Sequence, residues 1–246
     1  MSETNFSLDL YTIDELKELC SKLEIKPKRT KKELIADISS EFKIYVDYSN
    51  KKKNKYKIIN QIGNKGKEGI TYLVVDKKGN KYAMKTFKKT KSSKKLKKEF
   101  LLQKKAGKKG IAPKVYDYDV LEKFIVMELM DNHLYEELDK NPAFLTKKHQ
   151  ERIYEIYSTL DDIEVFHNDA NICNYMLKNN KLYLIDYGFA KEINSKLIKE
   201  VKTDKPNSIL MLIGFIITLK KKGVPASSYK YLLDKLPIQY KKEYDL

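Results

Sequence analysis

The run HNDANICN, residues 167–174, places one His, one Asp and three Asn in eight positions and contains no lysine. Lysine is abundant elsewhere: of 50 Lys and Arg residues in a chain of 246, only Arg29 and Arg152 are arginine. Twelve positions past Asn174 another acid, Asp186, stands in LIDYGFA, 184–190. Carboxylate and amide oxygens kept clear of competing ammonium groups suit a hard divalent cation and the phosphates it accompanies. A polar surface loop is the plain alternative, and the surrounding sequence has to decide between the two.

The length allows one large domain, or a compact enzyme domain with a small appendage. A hydrophobic content of 41% is enough for a core, which excludes a disordered tail. Two cysteines, Cys20 and Cys173, form neither a disulfide framework nor a paired metal-ligand spacing, and they fit a reducing compartment. MSETNFSLDL lacks the layout of a signal peptide, and the apolar run Ile209 to Leu219 is too short to span a bilayer. These features predict a soluble, intracellular protein with no membrane contact.

The formal net charge is +16 and unevenly spread. Between Lys51 and Lys114 there are 23 lysines against three acids, Glu68, Asp76 and Glu99. Such a field attracts polyanions, whether it arose from the codon bias of an AT-rich genome or as a purposeful basic surface. The scarcity of arginine argues against dedicated bidentate recognition of phosphates or bases.

Residues 1–46 read as a separate helical unit. Thr12 precedes an amphipathic run with Leu16, Leu19, Cys20 and Leu23 at helical spacing, and Glu15 completes a capping box. The basic connector KPKRTKK, 26–32, contains Thr30, which pairs in the same way with Glu33 ahead of Leu34, Ile35, Ile38 and Phe42. Two short helices with an extended basic link resemble a SAP-like helix-extension-helix module. That resemblance implies DNA association through residues 1–46 and the basic segment beyond; the alternative is a helical hairpin packed on the main domain.

Residues 47–54 read as a linker. Strand signals follow at 56–63, 70–76 and 81–87, with a KKGN turn at 77–80. The lysine-rich segment 90–106 predicts a helix with Leu96, Phe100 and Leu101 facing inward, and 123–130 predicts another strand. Beyond 145 the signals are mostly helical, interrupted by the opening run and by a strand at 182–186. Strands first and helices afterwards predict an α+β chain in two lobes, 55–130 and a shortened 131–246.

Gly63, Gly66 and Gly69 lie between two strand signals, where a backbone without side chains can approach phosphates closely. Ala83-Met84-Lys85 follows in a strand, and a lysine there needs a partner for its ammonium. Glu99, the one acid on a helix full of lysines, is its natural counter-ion.

Glycine turn, strand lysine, helix glutamate, Met-Glu-Leu strand end, His-x-Asp-x-x-x-x-Asn loop and Asp-Tyr-Gly, in that order, resemble the protein kinase family across about residues 55–190. The resemblance implies a two-lobed fold and an ATP- and Mg2+-dependent phosphotransferase acting on protein substrates. It implies that Gly63, Gly66, Gly69, Thr71 and Ala83 line the nucleotide, that Lys85, oriented by Glu99, holds the α- and β-phosphates, and that Asp169 accepts the proton of the attacking hydroxyl. Asn174 and Asp186 would hold Mg2+. Glu128, Leu129 and Met130 would form the hinge for adenine, with Met127 as gatekeeper.

Departures matter too. Asn168 replaces the family's arginine, which argues against control by a phosphorylated activation loop. Asn171 stands where Ser/Thr kinases place a lysine, and Asn207 or Asp204 must replace the aspartate of the central helix. The shortened end resembles minimal or atypical kinases, including small kinases of large DNA viruses. Three readings follow: a Ser/Thr protein kinase, a kinase-fold enzyme acting on a small molecule, or a non-catalytic scaffold or nucleic-acid tether. The sequence leaves the oligomeric state open.

Overall fold

The computed structural model describes residues 12–40, 55–62, 66, 68–120 and 122–246. Phe42, the expected linker at 47–54 and Gly63 lie outside the described residues. The chain divides into two units, residues 1–58 with 75–80, and residues 59–74 with 81–246.

In the first unit, α1 (Ile13–Lys22) and α2 (31–40) form at the two capping boxes. Thr12 accepts the N–H of Glu15 at 3.3 Å while Glu15 accepts that of Thr12 at 2.8 Å. Thr30 and Glu33 repeat the exchange at 3.3 and 3.2 Å. Leu16, Cys20, Leu34 and Ile38 are buried together, with Leu19, Leu23, Ile25 and Ile35 around them. The basic connector is tied to α2 by Lys28 and Asp37, 3.3 Å apart.

A five-stranded antiparallel sheet has the order β1-β2-β3-β5-β4, from β1 (Tyr56–Gln61), β2 (Gly69–Asp76), β3 (Lys81–Phe87), β4 (Val115–Asp119) and β5 (Phe124–Met127). The turn after β2 forms where expected: Asp76 accepts the N–H groups of Lys78 and Asn80 at 2.8 and 2.9 Å, and Gly79 takes a φ of 83°. The register of β3 on β5 sets Ala83 opposite Met127 and Lys85 opposite Ile125. Helix α3 (Ser93–Lys108) starts at the cap Ser92 and packs Leu96 and Phe100 with Phe87 and Ile125. Leu101 is not inward: it is exposed, and Leu102 is buried in its place, because the inward stripe runs 96, 99, 100, 103 and shifts to 102 and 106 with the helical period.

The remainder is mostly helical, comprising β6 (Asn132–His133), α4 (Leu134–Lys140), α5 (Lys147–Asp162), β7 (Val165–Phe166), β8 (Tyr175–Lys178), β9 (Lys181–Leu184), β10 (Lys191–Glu192), α6 (Ser195–Val201), α7 (Leu212–Lys221), α8 (Lys230–Lys235) and α9 (Ile238–Glu243). The fold is therefore α+β, with a β-rich part followed by a helical one. A π-helical turn, Asn207–Met211, leads into α7, whose Leu212, Ile213, Phe215, Ile216 and Leu219 are buried in the largest core. A helix apolar on so many sides belongs inside a domain. Gly214 lets it approach the polar loop: a Cβ there would lie 2.7 Å from that of Ala170. Among the described residues no helix is long and apolar enough to cross a membrane. Cys20 is buried and Cys173 exposed, both as free thiols.

Candidate active site

Three segments far apart in sequence meet at Lys85. Its position on β3, flanked by buried Ala83 and Met84, leaves its side chain only 15% exposed. Its Nζ lies 2.9 Å from Glu99 Oε1 on α3 and 2.7 Å from Asp186 Oδ1. Burial alone pushes the ammonium down, but the two carboxylates outweigh it and hold its pKa well above the usual lysine value. Burial likewise opposes ionisation of Asp186, yet Lys85 and the Gly188 N–H keep that carboxyl below its ordinary range. Glu99 itself is 2% exposed, so the counter-ion read from the sequence is a buried one.

The run 167–174 is a loop anchored from within, with His167, Ile172 and Asn174 buried and Asn168, Asn171 and Cys173 exposed. His167 is fully buried; its backbone N–H donates to Asn207 Oδ1 at 3.0 Å, and its ring spans the carbonyls of Asp169 and Ile185 at 3.1 and 3.0 Å. Desolvation lowers its pKa, the nearby carbonyls and carboxylates offsetting only part of that. Asn207 Nδ2 donates to Asp161 Oδ1 and to the Val165 carbonyl, each at 2.7 Å. Asn207 rather than Asp204 therefore anchors the loop, and Asp161 of α5 supplies the negative charge behind it. Asn171 caps the next turn by accepting the Cys173 N–H at 2.9 Å, a local reason for asparagine there.

Asn174 Nδ2 donates to the Asp169 carbonyl at 3.4 Å, and the Asn174 carbonyl accepts the Ile185 N–H at 2.8 Å. These bonds tie the loop to the residue before Asp186, which adopts a left-handed φ of 62°. Asp186 spends Oδ1 on Lys85 and on the Gly188 N–H, leaving Oδ2 outside those bonds, and Asn174 donates through its nitrogen, leaving Oδ1. Two hard oxygens so left suit Mg2+, which commonly takes one or two protein ligands and completes its shell with water and phosphate. Among the described residues no three His, Cys, Asp or Glu cluster as a self-sufficient metal cage.

Around the lysine, Gly69 must be glycine, since a Cβ would lie 1.9 Å from the Thr86 carbonyl oxygen. Gly66 donates its N–H to the Gly69 carbonyl at 2.9 Å, and Thr71 accepts that of Ile62 at 2.8 Å. Met127 ends β5, its sulfur 3.4 Å from Gln103 Nε2. Glu128 donates its N–H to the Lys114 carbonyl at 2.8 Å and pairs its carboxylate with Lys178 at 2.7 Å. Leu129 and Met130 continue the connection to β6, Met130 being buried. Two participants were not picked out from the sequence, Glu68 and Lys91. Glu68 had a signal, being one of only three acids between Lys51 and Lys114; Lys91 had none among so many lysines.

Two comparisons with known proteins bear on the family of the chain. Residues 56–205 match the protein kinase domain. An 80-residue segment is 30% identical to a protein of Acanthamoeba polyphaga mimivirus provisionally named serine/threonine-protein kinase L232, and covers 30% of this chain and 12% of that protein. The chain thus matches only a small part of that relative. With the domain match extending over more than half of its residues, and the family's motifs in order, the chain belongs to the protein kinase family.

Proposed function

We propose that the chain is an ATP- and Mg2+-dependent kinase that phosphorylates serine or threonine hydroxyls of proteins. The observation that carries this reading is the Lys85 ammonium held between Glu99 and Asp186. A non-catalytic scaffold has no use for a buried lysine shared by two carboxylates, beside an Asp169–Asn174 loop anchored from below.

In this reading Lys85, oriented by Glu99, binds the α- and β-phosphates, and the glycine turn of Gly63, Gly66 and Gly69 brings backbone N–H groups to them. Thr71, Ala83 and Met127 bound the adenine. Because the Glu128 N–H is committed to Lys114, the Glu128 carbonyl and the main chain of Leu129 and Met130 remain to read its edge. Asn174 and Asp186 would hold Mg2+, which neutralises phosphate charge when bound. Asp169 accepts the proton of the acceptor hydroxyl as its oxygen forms the bond to the γ-phosphorus and the bond to ADP breaks. The named mimivirus relative supports a Ser/Thr acceptor.

On this reading the domains are residues 1–46, a linker at 47–54, and lobes at 55–130 and 131–246, in an intracellular protein. Association of 1–46 with DNA is supported by the paired capped helices and by Lys26, Lys28, Arg29 and Lys32, all exposed along the connector.

The test is transfer of labelled γ-phosphate by the purified chain to basic and acidic proteins, followed by identification of the phosphorylated residue. Phosphoserine or phosphothreonine that vanishes with Asp169→Asn is expected. Full transfer by that variant would refute the assignment of the base, and labelling of small alcohols alone would favour a small-molecule kinase.

A further inference from the structure

Lys91 is a second buried lysine at the same site. Its side chain is 7% exposed, and its Nζ lies 2.6 Å from Glu68 Oε2, against Glu99 Oε2, and 4.3 Å from the centre of the Phe87 ring. Its setting is fixed. Lys91 donates its N–H to Lys88 O at 3.0 Å, Lys88 donates its own to Glu68 O at 2.9 Å, and Lys123 Nζ binds the carbonyls of Lys89 and Lys91. The side chains form one row, Glu68–Lys91–Glu99–Lys85–Asp186, with three carboxylates against two ammonium groups. Glu68 reaches over the turn that follows Asp186: a Cβ on Gly188 would lie 2.9 Å from Glu68 Oε2 and 3.3 Å from Asp186 Oδ1. Two acids thus converge on the glycine beside which the proposed phosphates must pass, and only one of them is a candidate metal ligand.

We propose that Lys91 is a positioning residue for nucleotide binding: it pairs with Glu68 as well as Glu99, so that the Glu68 carboxylate over Gly188 does not face the phosphates as an unpaired negative charge. This rests on the Mg·ATP reading above. Lys85 retains its own bond to Glu99 without Lys91, so the loss on removing Lys91 comes mainly from the uncovered Glu68 charge. That charge repels a polyanion, and removing it reverses the loss.

The test is a double-mutant cycle on the full chain, with Lys91→Met, Glu68→Gln and the pair, reading Kd for Mg·ATP by calorimetry and Tm without nucleotide. Lys91→Met is expected to weaken binding about tenfold or more, and adding Glu68→Gln to restore it to within about threefold of wild type. If Lys91→Met does not fold, Lys91→Gln, which keeps a hydrogen-bond donor without the charge, replaces it. Binding that stays wild-type in the single variant, or that is lost and not recovered in the pair, overturns the role of Lys91 alone. A folded wild type that binds no Mg·ATP overturns the parent reading and this one with it.

Discussion

Asn207→Asp is a small chemical change that tests how the polar loop is anchored. Asn207 is fully buried, accepts the His167 N–H, and donates to both Asp161 and the Val165 carbonyl. Aspartate keeps the acceptor and loses both donors. An orphaned buried carbonyl at Val165 costs about 1–3 kcal/mol. The new carboxylate also faces Asp161, and two like charges about 4 Å apart at an effective dielectric of about 20 repel by about 4 kcal/mol. The pair can escape by retaining a proton, which raises its pKa above the unfolded value. The folded chain then binds more protons than the unfolded one, so stability increases as pH falls. Urea denaturation should show a loss of about 2–5 kcal/mol at pH 8, a smaller one near pH 5.5, and recovery of most of it on adding Asp161→Asn. A variant as stable as wild type at pH 8, or a loss indifferent to both pH and Asp161→Asn, would refute the reasoning.

Three other outcomes follow from the same structure. Gly69→Ala places a Cβ 1.9 Å from the Thr86 carbonyl oxygen, so the glycine turn must shift; Kd for Mg·ATP should rise about 10–100-fold, and an unchanged Kd would separate the turn from the nucleotide. Burial lowers the pKa of His167, so as pH falls below about 6.5 the unfolded chain takes up a proton more readily than the folded one. Stability should fall with pH there by up to about 1.4 kcal/mol per unit, and His167→Gln should flatten that slope; equal slopes in the two proteins would contradict it. Leu16→Ala removes a side chain from a core with four buried members among the described residues and should cost the helical unit about 2–5 kcal/mol. Helical content and protease resistance of residues 12–40 report that loss, and unchanged resistance would argue against it.

Much of this architecture was legible in the sequence because local chemistry dictated it. Two Thr-x-x-Glu boxes placed α1 and α2, and the KKGN turn placed the β2–β3 hairpin. Rare residues were informative where common ones were not. The three acids among the lysines of 51–114 each have an assigned partner in the fold: Glu99 binds Lys85, Glu68 binds Lys91, and Asp76 closes the hairpin turn. Lys91 was hidden because one lysine in a lysine-rich run carries no contrast. Asp161 was hidden because its role depends on Asn207, 46 positions away, and such pairing leaves no local periodicity. Leu101 was misplaced because three apolar residues, Phe100, Leu101 and Leu102, stand together, and a helical stripe admits only two of them. Strand β4, in VYDYD, escaped notice, and its burial does not follow the alternation of tyrosine and aspartate: Tyr116 is exposed while Asp119 is buried.

The central claim is that Lys85, held by Glu99 and Asp186, serves phosphoryl transfer. Its most direct test is transfer of the γ-phosphate to a protein acceptor by the purified chain, wild type against Lys85→Ala, with folding of both checked by circular dichroism. Transfer by wild type and a loss of about a hundredfold or more in the folded variant is the predicted result. Equal rates in the two proteins, or no transfer by folded wild type with Mg·ATP bound, would contradict the claim.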